Sequence, residues 1–292
     1  MKKFIRFILC ALAVISFTGA SAQDVQVGLL GGVGKDPEAM FKKLHDAGFK
    51  YCQIGFGTSW DKEMATTLKK LSKKYDVKIS TMMYCTPGGR WNFLEGPTTI
   101  GLVPPVNRIK YIDTYKKAID FCAMADIPAM HSHFGFIPEE PNCELYASFI
   151  ECMRELCQYA KDKGVMVFCE TGQETATTLI RAIHDIGTGN IFVNCDVANM
   201  VLYGKGNPVD AVRQFGPLLK ELHAKDGKYP TNGHDLGEET VVGQGKVNFP
   251  LFIERLKEIG YNGTLIIERE IWGEQQIKDI NDTKIYLEEL IG

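Results

Sequence analysis

The sequence predicts a single closed (β/α)8 barrel. Short apolar runs that read as buried strands alternate eight times with amphipathic stretches, from residue 25 to the end. Alternation at this spacing means parallel strands joined by crossover helices. No linker or composition break separates the units, and the 270 residues after position 22 suit one such barrel, typically ~250 residues long. Four chargeable residues, Glu170, Asp196, His223 and Glu268, each close one of four consecutive runs. In a barrel, the C-terminal strand ends form the mouth where functional side chains gather. An open doubly wound sheet with an added domain is the alternative, and eight units with nothing left over argue against it.

The elements follow in order. A strand over 25–30 precedes a helix opened by Asp36-Pro37, with proline at its favoured first position, running to residue 45. A strand over 51–56 leads to a helix over 61–74. The strand over 77–84 is followed by a long connection and a helix over 107–125. Then come a strand over 129–133 with a helix over 142–163, and a strand over 165–170 with a helix over 174–185. The strand over 191–196 precedes a helix over 208–215, and the strand over 218–223 precedes a long loop and a helix over 249–259. The last strand, 265–268, leads to a closing helix over 274–290. The connections 85–106 and 224–248 both follow strand ends and overhang the mouth. Connections of that length in a compact domain are usually lids or binding loops.

The chain opens with Lys2, Lys3 and Arg6, an apolar stretch over 7–17 and Ala20-Ser-Ala22. That pattern is a secretory signal peptide cleaved after Ala22, leaving residues 23–292 as an exported, periplasmic protein. No later run approaches the ~20 apolar residues a membrane span needs. Removing residues 1–22 takes the formal net charge from −3 to −6. An acidic surface without basic runs excludes nucleic acid and anionic membrane as partners. Eight cysteines follow residue 22, an even number compatible with disulfides after export. Cys52, Cys169 and Cys195 fall inside apolar strand runs, where a free thiol behaves as a small hydrophobe, so mostly unpaired thiols are expected.

Three carboxylates and one imidazole supply hard oxygen ligands plus one nitrogen. That set suits Mn²⁺ first, with Mg²⁺, Co²⁺ or Zn²⁺ as alternatives, and leaves about two positions for substrate or water. A structural zinc site would instead show a closed set of Cys and His. Each residue also has a plain structural alternative. Glu170 could cap the next helix, Asp196 could be an N-cap, His223 a core histidine and Glu268 a partner of Arg269. Gly28-Leu-Leu-Gly31-Gly32-Val-Gly34-Lys35-Asp36 is not a P-loop, because the spacing is one residue too long and Asp36 replaces the hydroxyl.

The strand-end order Glu, Asp, His, Glu, with His223-Ala-Lys225-Asp226-Gly227 and Gly260-Tyr-Asn-Gly-Thr-Leu-Ile-Ile-Glu268, resembles the sugar phosphate isomerase/epimerase family of xylose isomerase-like TIM barrels. The resemblance covers essentially the whole chain after residue 22. It extends to Ser132-His133-Phe134-Gly135-Phe136 and Gly243-Gln-Gly245. It implies a metal held by Glu170, Asp196, His223 and Glu268, with Glu170 and Glu268 doubling as acid and base. Ketose 3-epimerases of the family often carry a His three residues after the metal Asp, where this chain has Asn199.

The implied reaction is isomerisation or epimerisation of an unphosphorylated sugar or keto-sugar, by proton abstraction next to a carbonyl through a metal-stabilised enediolate. β-Elimination from a 3-keto glycoside is the alternative from the same site. Around the ligands, His131, His133, Lys225, Asp226, Asn199, Glu270, Trp91 and Trp272 are candidate substrate contacts. By strand alternation His131 and His133 share a face opposite Ser132, and the resemblance favours His133 as the inward one. Lys225 suits an oxyanion, or a pairing with Asp226 or Glu170. Trp91 and Trp272 suit sugar stacking or burial against the rim. Two other classes compete: an AP-endonuclease-like nuclease, which needs further metal ligands, and a non-catalytic periplasmic carbohydrate-binding protein. A small-molecule carbohydrate is the expected partner, and the chain leaves a homo-oligomer open.

Overall fold

A segment buried on both faces must satisfy its backbone groups with neighbouring strands, and each of the eight apolar runs does so. In the computed structural model, which describes residues 25–292, the strands are β1 (Gln26–Gly31), β2 (Tyr51–Gly55), β3 (Lys78–Met83), β4 (Ala129–Ser132), β5 (Met166–Glu170), β6 (Ile191–Asp196), β7 (Leu219–Ala224) and β8 (Thr264–Ile267). They close into one barrel in the order β1-β8-β7-β6-β5-β4-β3-β2. Every pairing is parallel. The signal peptide read over residues 1–22 lies outside the described residues.

Eight helices surround the barrel: α1 (Pro37–Asp46), α2 (Lys62–Tyr75), α3 (Pro105–Ala125), α4 (Glu144–Asp162), α5 (Ala176–Ile186), α6 (Pro208–Phe215), α7 (Phe249–Glu258) and α8 (Glu274–Ile291). Their starts are set by side chains that accept the first free backbone N–H groups. Asp36 accepts from Ala39, Asp61 from Glu63 and Met64, Asn207 from Val209, and Asn248 from Leu251. Thr175 caps α5, so that helix starts after the expected position 174 and Glu174 is left buried. A further short helix, Val197–Leu202, directly follows β6 and was not expected from the sequence. Asp196 caps it through Asn199 N–H at 2.8 Å.

The core lies between strands and helices, with large side chains such as Phe41, Tyr115, Phe149 and Phe252 fully enclosed. The barrel interior is different. Gln53, Thr81, Asn194 and Glu221, on β2, β3, β6 and β7, are all buried inside it. Gln53 Nε2 donates to Thr81 Oγ1 at 2.7 Å and Glu221 Oε2 at 2.9 Å, and the hydroxyls of Thr81 and Thr264 donate to the same carboxylate at 2.5 and 2.8 Å. The buried charge is thus hydrogen-bonded from three other strands.

The two long connections meet over the mouth. Asn92 pairs with Asp235 in an antiparallel bridge, and Phe93 N–H donates to the His234 carbonyl at 3.0 Å. Within the second connection, Asp226–Gly227 pairs with Glu239–Thr240. All eight cysteines from Cys52 to Cys195 are free thiols. Among the described residues no helix is long and apolar enough to cross a membrane.

Candidate metal centre

Barrel closure brings the four strand ends to one point. Glu170 ends β5, Asp196 ends β6, His223 lies one residue before the end of β7, and Glu268 follows β8 directly. Asp196 and His223 are register partners, so their side chains leave adjacent strands at the same height. One ligand atom from each of the four lies within 4.8 Å of all the others, and all four residues are buried. His223 Nδ1 is 3.1 Å from Glu170 Oε1, 3.0 Å from Glu268 Oε2 and 3.6 Å from Asp196 Oδ2.

The donor set passes a direct test for a cation. Asp196 Oδ2, His223 Nδ1 and Glu268 Oε2 are all buried and have no hydrogen-bond partner. Orphaned polar atoms are rare in a folded interior because each costs about 1–3 kcal/mol. Here three converge, two of them carboxylate oxygens. A divalent cation would satisfy all three at once. His223 Nε2 is 2.9 Å from Gln53 Oε1 and therefore carries a hydrogen, so Nδ1 is the nitrogen turned toward the carboxylates and open to a cation once its proton leaves. Asn194 Nδ2 also lies 3.1 Å from that nitrogen.

The charges are unequal in kind. Burial raises the Glu170 pKa, but His133 and His223 and the hydrogen bonds of His131 and His133 pull it well below the usual carboxylate range. Glu268 is likewise raised by burial and pulled down to about 2 by Lys225 and His223. Asp196 is pushed up to about 6 by burial, against the pull of Lys225. Burial lowers the His223 pKa, yet Glu170, Glu268 and Asp196 carry it well above the ordinary imidazole value.

The candidate contacts fall into two groups. His131 Nε2 and His133 Nε2 both reach Glu170 Oε2, at 2.9 and 3.2 Å, so both imidazoles face inward. Ser132 faces the other way, with its hydroxyl 3.0 Å from Tyr115 OH. His133 Nδ1 lies 3.2 Å from the Gln173 amide, which in turn donates to Tyr203 OH at 3.0 Å. Asn199 Nδ2 donates to Glu170 Oε1 at 3.4 Å. Lys225 Nζ is buried 3.5 Å from Glu268, 3.7 Å from Asp196 and 3.0 Å from Glu270. The pairing expected with Asp226 or Glu170 is not formed, because alternation turns Lys225 toward β8 and β6. Burial lowers the Lys225 pKa, but Glu268, Asp196 and Glu270 raise it well above the ordinary lysine value.

Asp226 departs from the expectation of a substrate contact. Its carboxylate is fully buried and accepts the N–H groups of Gly227, Gly243, Gly245 and Val247, at 2.8–3.0 Å. It holds its own loop together and has no oxygen left for a ligand. Trp91 lies edge-on to His133 with ring centroids 4.9 Å apart, and Trp272 is 90 % exposed beyond the strand end. Arg269 pairs with Asp279 and Glu239 and leaves Glu268 to the metal cluster. Gln53, Asn194, Gln173 and Tyr203 belong to the site's support and were not singled out from the sequence. The signal for the first two was a polar side chain in the middle of an otherwise apolar strand.

A parallel eight-stranded barrel with an oxygen-rich ligand set at its mouth defines the class, a barrel built around a candidate divalent-metal centre. The chain belongs to the xylose isomerase-like TIM barrel family, whose sequence profile matches residues 41–289. Among solved structures it is similar to a xylose isomerase domain protein from Planctomyces limnophilus, with a TM-score of 0.84 and 26% identity over 92% of this chain and 98% of that one. Among curated proteins it is 26% identical over 193 residues to an uncharacterised protein of Methanocaldococcus jannaschii, covering 62% of each chain. It is also 22% identical over 233 residues to an L-ribulose 3-epimerase of a Methylomonas species, covering 76% of this chain and 74% of that one.

Proposed function

We propose that the protein is a divalent-metal-dependent isomerase or epimerase of an unphosphorylated sugar or keto-sugar. The observation that carries this reading is the pair Glu170 and Glu268. Both contribute to the cluster of converging ligand atoms, and both are held as carboxylates at neutral pH. A carboxylate base beside a polarised carbonyl is what abstraction of an α-proton requires. The similarity to an L-ribulose 3-epimerase supports a ketose as substrate. The export signal read in residues 1–22 favours an unphosphorylated one.

Glu170, Asp196, His223 and Glu268 would hold the cation, with Mn²⁺ the best match to three carboxylates and one imidazole. When bound, it would supply a Lewis acid that stabilises negative charge on the substrate's oxygens. The residues do the rest. Glu170 takes the proton from carbon, with its Oε2 oriented by His131 and His133. Glu268, three strands away across the mouth, returns a proton, and Lys225 beside it steadies negative charge. Return to the same carbon from the other face gives an epimer, and return to the neighbouring carbon gives the isomer. Glu170 and Glu268 are each buried by nine-tenths or more, which keeps competing bulk water away from the reacting carbons.

The test is exchange in D₂O. The Mn²⁺-loaded protein is incubated with free ketoses and 3-keto-glucosides, and deuterium at the α-carbon is followed by NMR. Exchange on at least one keto-sugar is expected, reduced 100-fold or more in Glu170→Gln. Normal metal content with no exchange on any of them would overturn the reading. Full exchange in Glu268→Gln would remove Glu268 as a proton carrier.

A further inference from the structure

The barrel mouth is lopsided. Above His133 and the neighbouring strand ends, the two long connections meet and Trp91 covers the imidazole. At β1 and β2 the strand ends instead carry Gly31, Gly32 and Gly55, which extend no side chain. A Cβ placed on Gly32 or Gly55 would meet nothing within 4 Å. The room left open is a groove of about 800 Å³ between the end of β1 with the connection after it, α1 and α8. Leu29, Met40, Ile277 and Ile280 line it, and the exposed indole of Trp272 stands at its edge.

The groove reaches the metal centre at one of its four ligand residues. Glu268 and Glu270 line the groove, and Glu268 also belongs to the ligand cluster. Most other charges in the lining are already neutralised within the protein. Arg269 is held by Asp279 and Glu239, Asp36 caps α1, and Glu270 pairs with Lys225. Lys43 is exposed to solvent. The groove therefore offers apolar surface continuous with the reactive centre and no built counter-charge for an anion. A free monosaccharide at the metal would leave that surface to water, and concave apolar surface beside convergent polar groups is the usual form of a ligand site.

We propose that this groove is an aglycone subsite, so that the natural substrate is a glycoside with a neutral aromatic or otherwise apolar aglycone. The sugar ring lies at Glu170 and Glu268, and the aglycone runs outward between α1 and α8 against Trp272. This inference rests on the keto-sugar reading above and narrows it to glycosides, which also brings the β-elimination outcome within reach of the same site.

The experiment compares methyl and 4-nitrophenyl 3-keto-β-D-glucopyranoside on the Mn²⁺-loaded full-length chain. Dissociation constants come from calorimetry, and α-proton exchange is followed on the same samples. Burying one aryl ring predicts that the nitrophenyl probe binds about tenfold or more tightly than the methyl probe. Gly32→Leu, which fills the groove, and Trp272→Ala, which strips its edge, each bring the ratio to within twofold; circular dichroism confirms the fold. Equal affinity of the two probes, or a ratio that survives both substitutions, would overturn the subsite. Exchange with equal affinities sinks the subsite and leaves the keto-sugar reading standing. An aryl preference without exchange on either probe sinks the 3-keto glycoside as the reacting substrate and leaves the groove as a binding site.

Discussion

At His223 a proton and a metal compete for one nitrogen. Nε2 is occupied by Gln53, so Nδ1 alone faces Glu170, Asp196 and Glu268. Burial lowers the pKa, but these carboxylates raise it well above the ordinary value, so the metal-free protein keeps the proton at neutral pH. A cation must expel it, and apparent affinity therefore falls as pH drops, by about tenfold per unit while the proton is held. Mn²⁺ titrations between pH 6 and 8 are expected to show this slope, with one proton released in buffers of different ionisation enthalpy; a flat profile would refute the competition. Gln53→Ala is expected to weaken Mn²⁺ about 10–100-fold, read in the same titration, since partners that orient a ligand imidazole matter on that scale. The four ligands were legible in the sequence because each ends an apolar run. Gln53, Thr81 and Asn194 were not, because one polar residue inside a buried strand looks tolerated until the barrel closes. Glu221 was nearer to legible, since it lies two residues before His223 and so faces the same interior.

The connection after β7 is an element with its own internal anchor. Four backbone N–H groups spread over residues 227–247 converge on the Asp226 carboxylate. The approach is so close that a Cβ on Gly245 would come within 2.1 Å of Asp226 Oδ1. Removing the carboxylate leaves those donors without a partner in a buried place, where hydrogen bonds to a charged group contribute about 1.5–3 kcal/mol each. The losses do not add, because the loop can open to water. Asp226→Ala is accordingly expected to cost about 3 kcal/mol in urea denaturation, whereas Asp226→Asn, which keeps part of the acceptor set, costs less. Equal losses in the two variants would mean that the charge contributes nothing. Strand and helix positions were legible because capping residues such as Asp36, Asp61 and Asn248 mark the starts of the helices they serve. The helix Val197–Leu202 was not. Five of its six residues are apolar, with Asn199 the exception, and a single turn and a half has no periodicity to read.

Across the whole molecule, the buried ionisable groups set opposite demands on pH. Glu268, held at about 2, and Glu170, held well below the usual range, contribute stability that is present above the unfolded value near 4.5 and lost only in stronger acid. Asp196 at about 6, His223 above its ordinary value and Glu174 at about 8 have the opposite sign. Each contributes stability that is full below its unfolded pKa and lost as pH rises through the folded one. Glu174 stands apart from the metal cluster; burial raises it, with only partial relief from His133 and Lys205. The metal-free protein is therefore expected to be more stable near pH 5 than near pH 8, with a slope of up to about 1.4 kcal/mol per pH unit for each such group. Glu174→Gln removes its share, so the variant gains on the parent chain at pH 8 and not at pH 5. Metal reverses the trend, because binding strengthens with pH and adds about 2.7 kcal/mol at a hundredfold excess over the dissociation constant. Melting temperatures with Mn²⁺ and with EDTA should diverge as pH rises from 5 to 8. A gap that stayed constant across that range would show that the carboxylate–imidazole cluster and the bound metal do not share their protons.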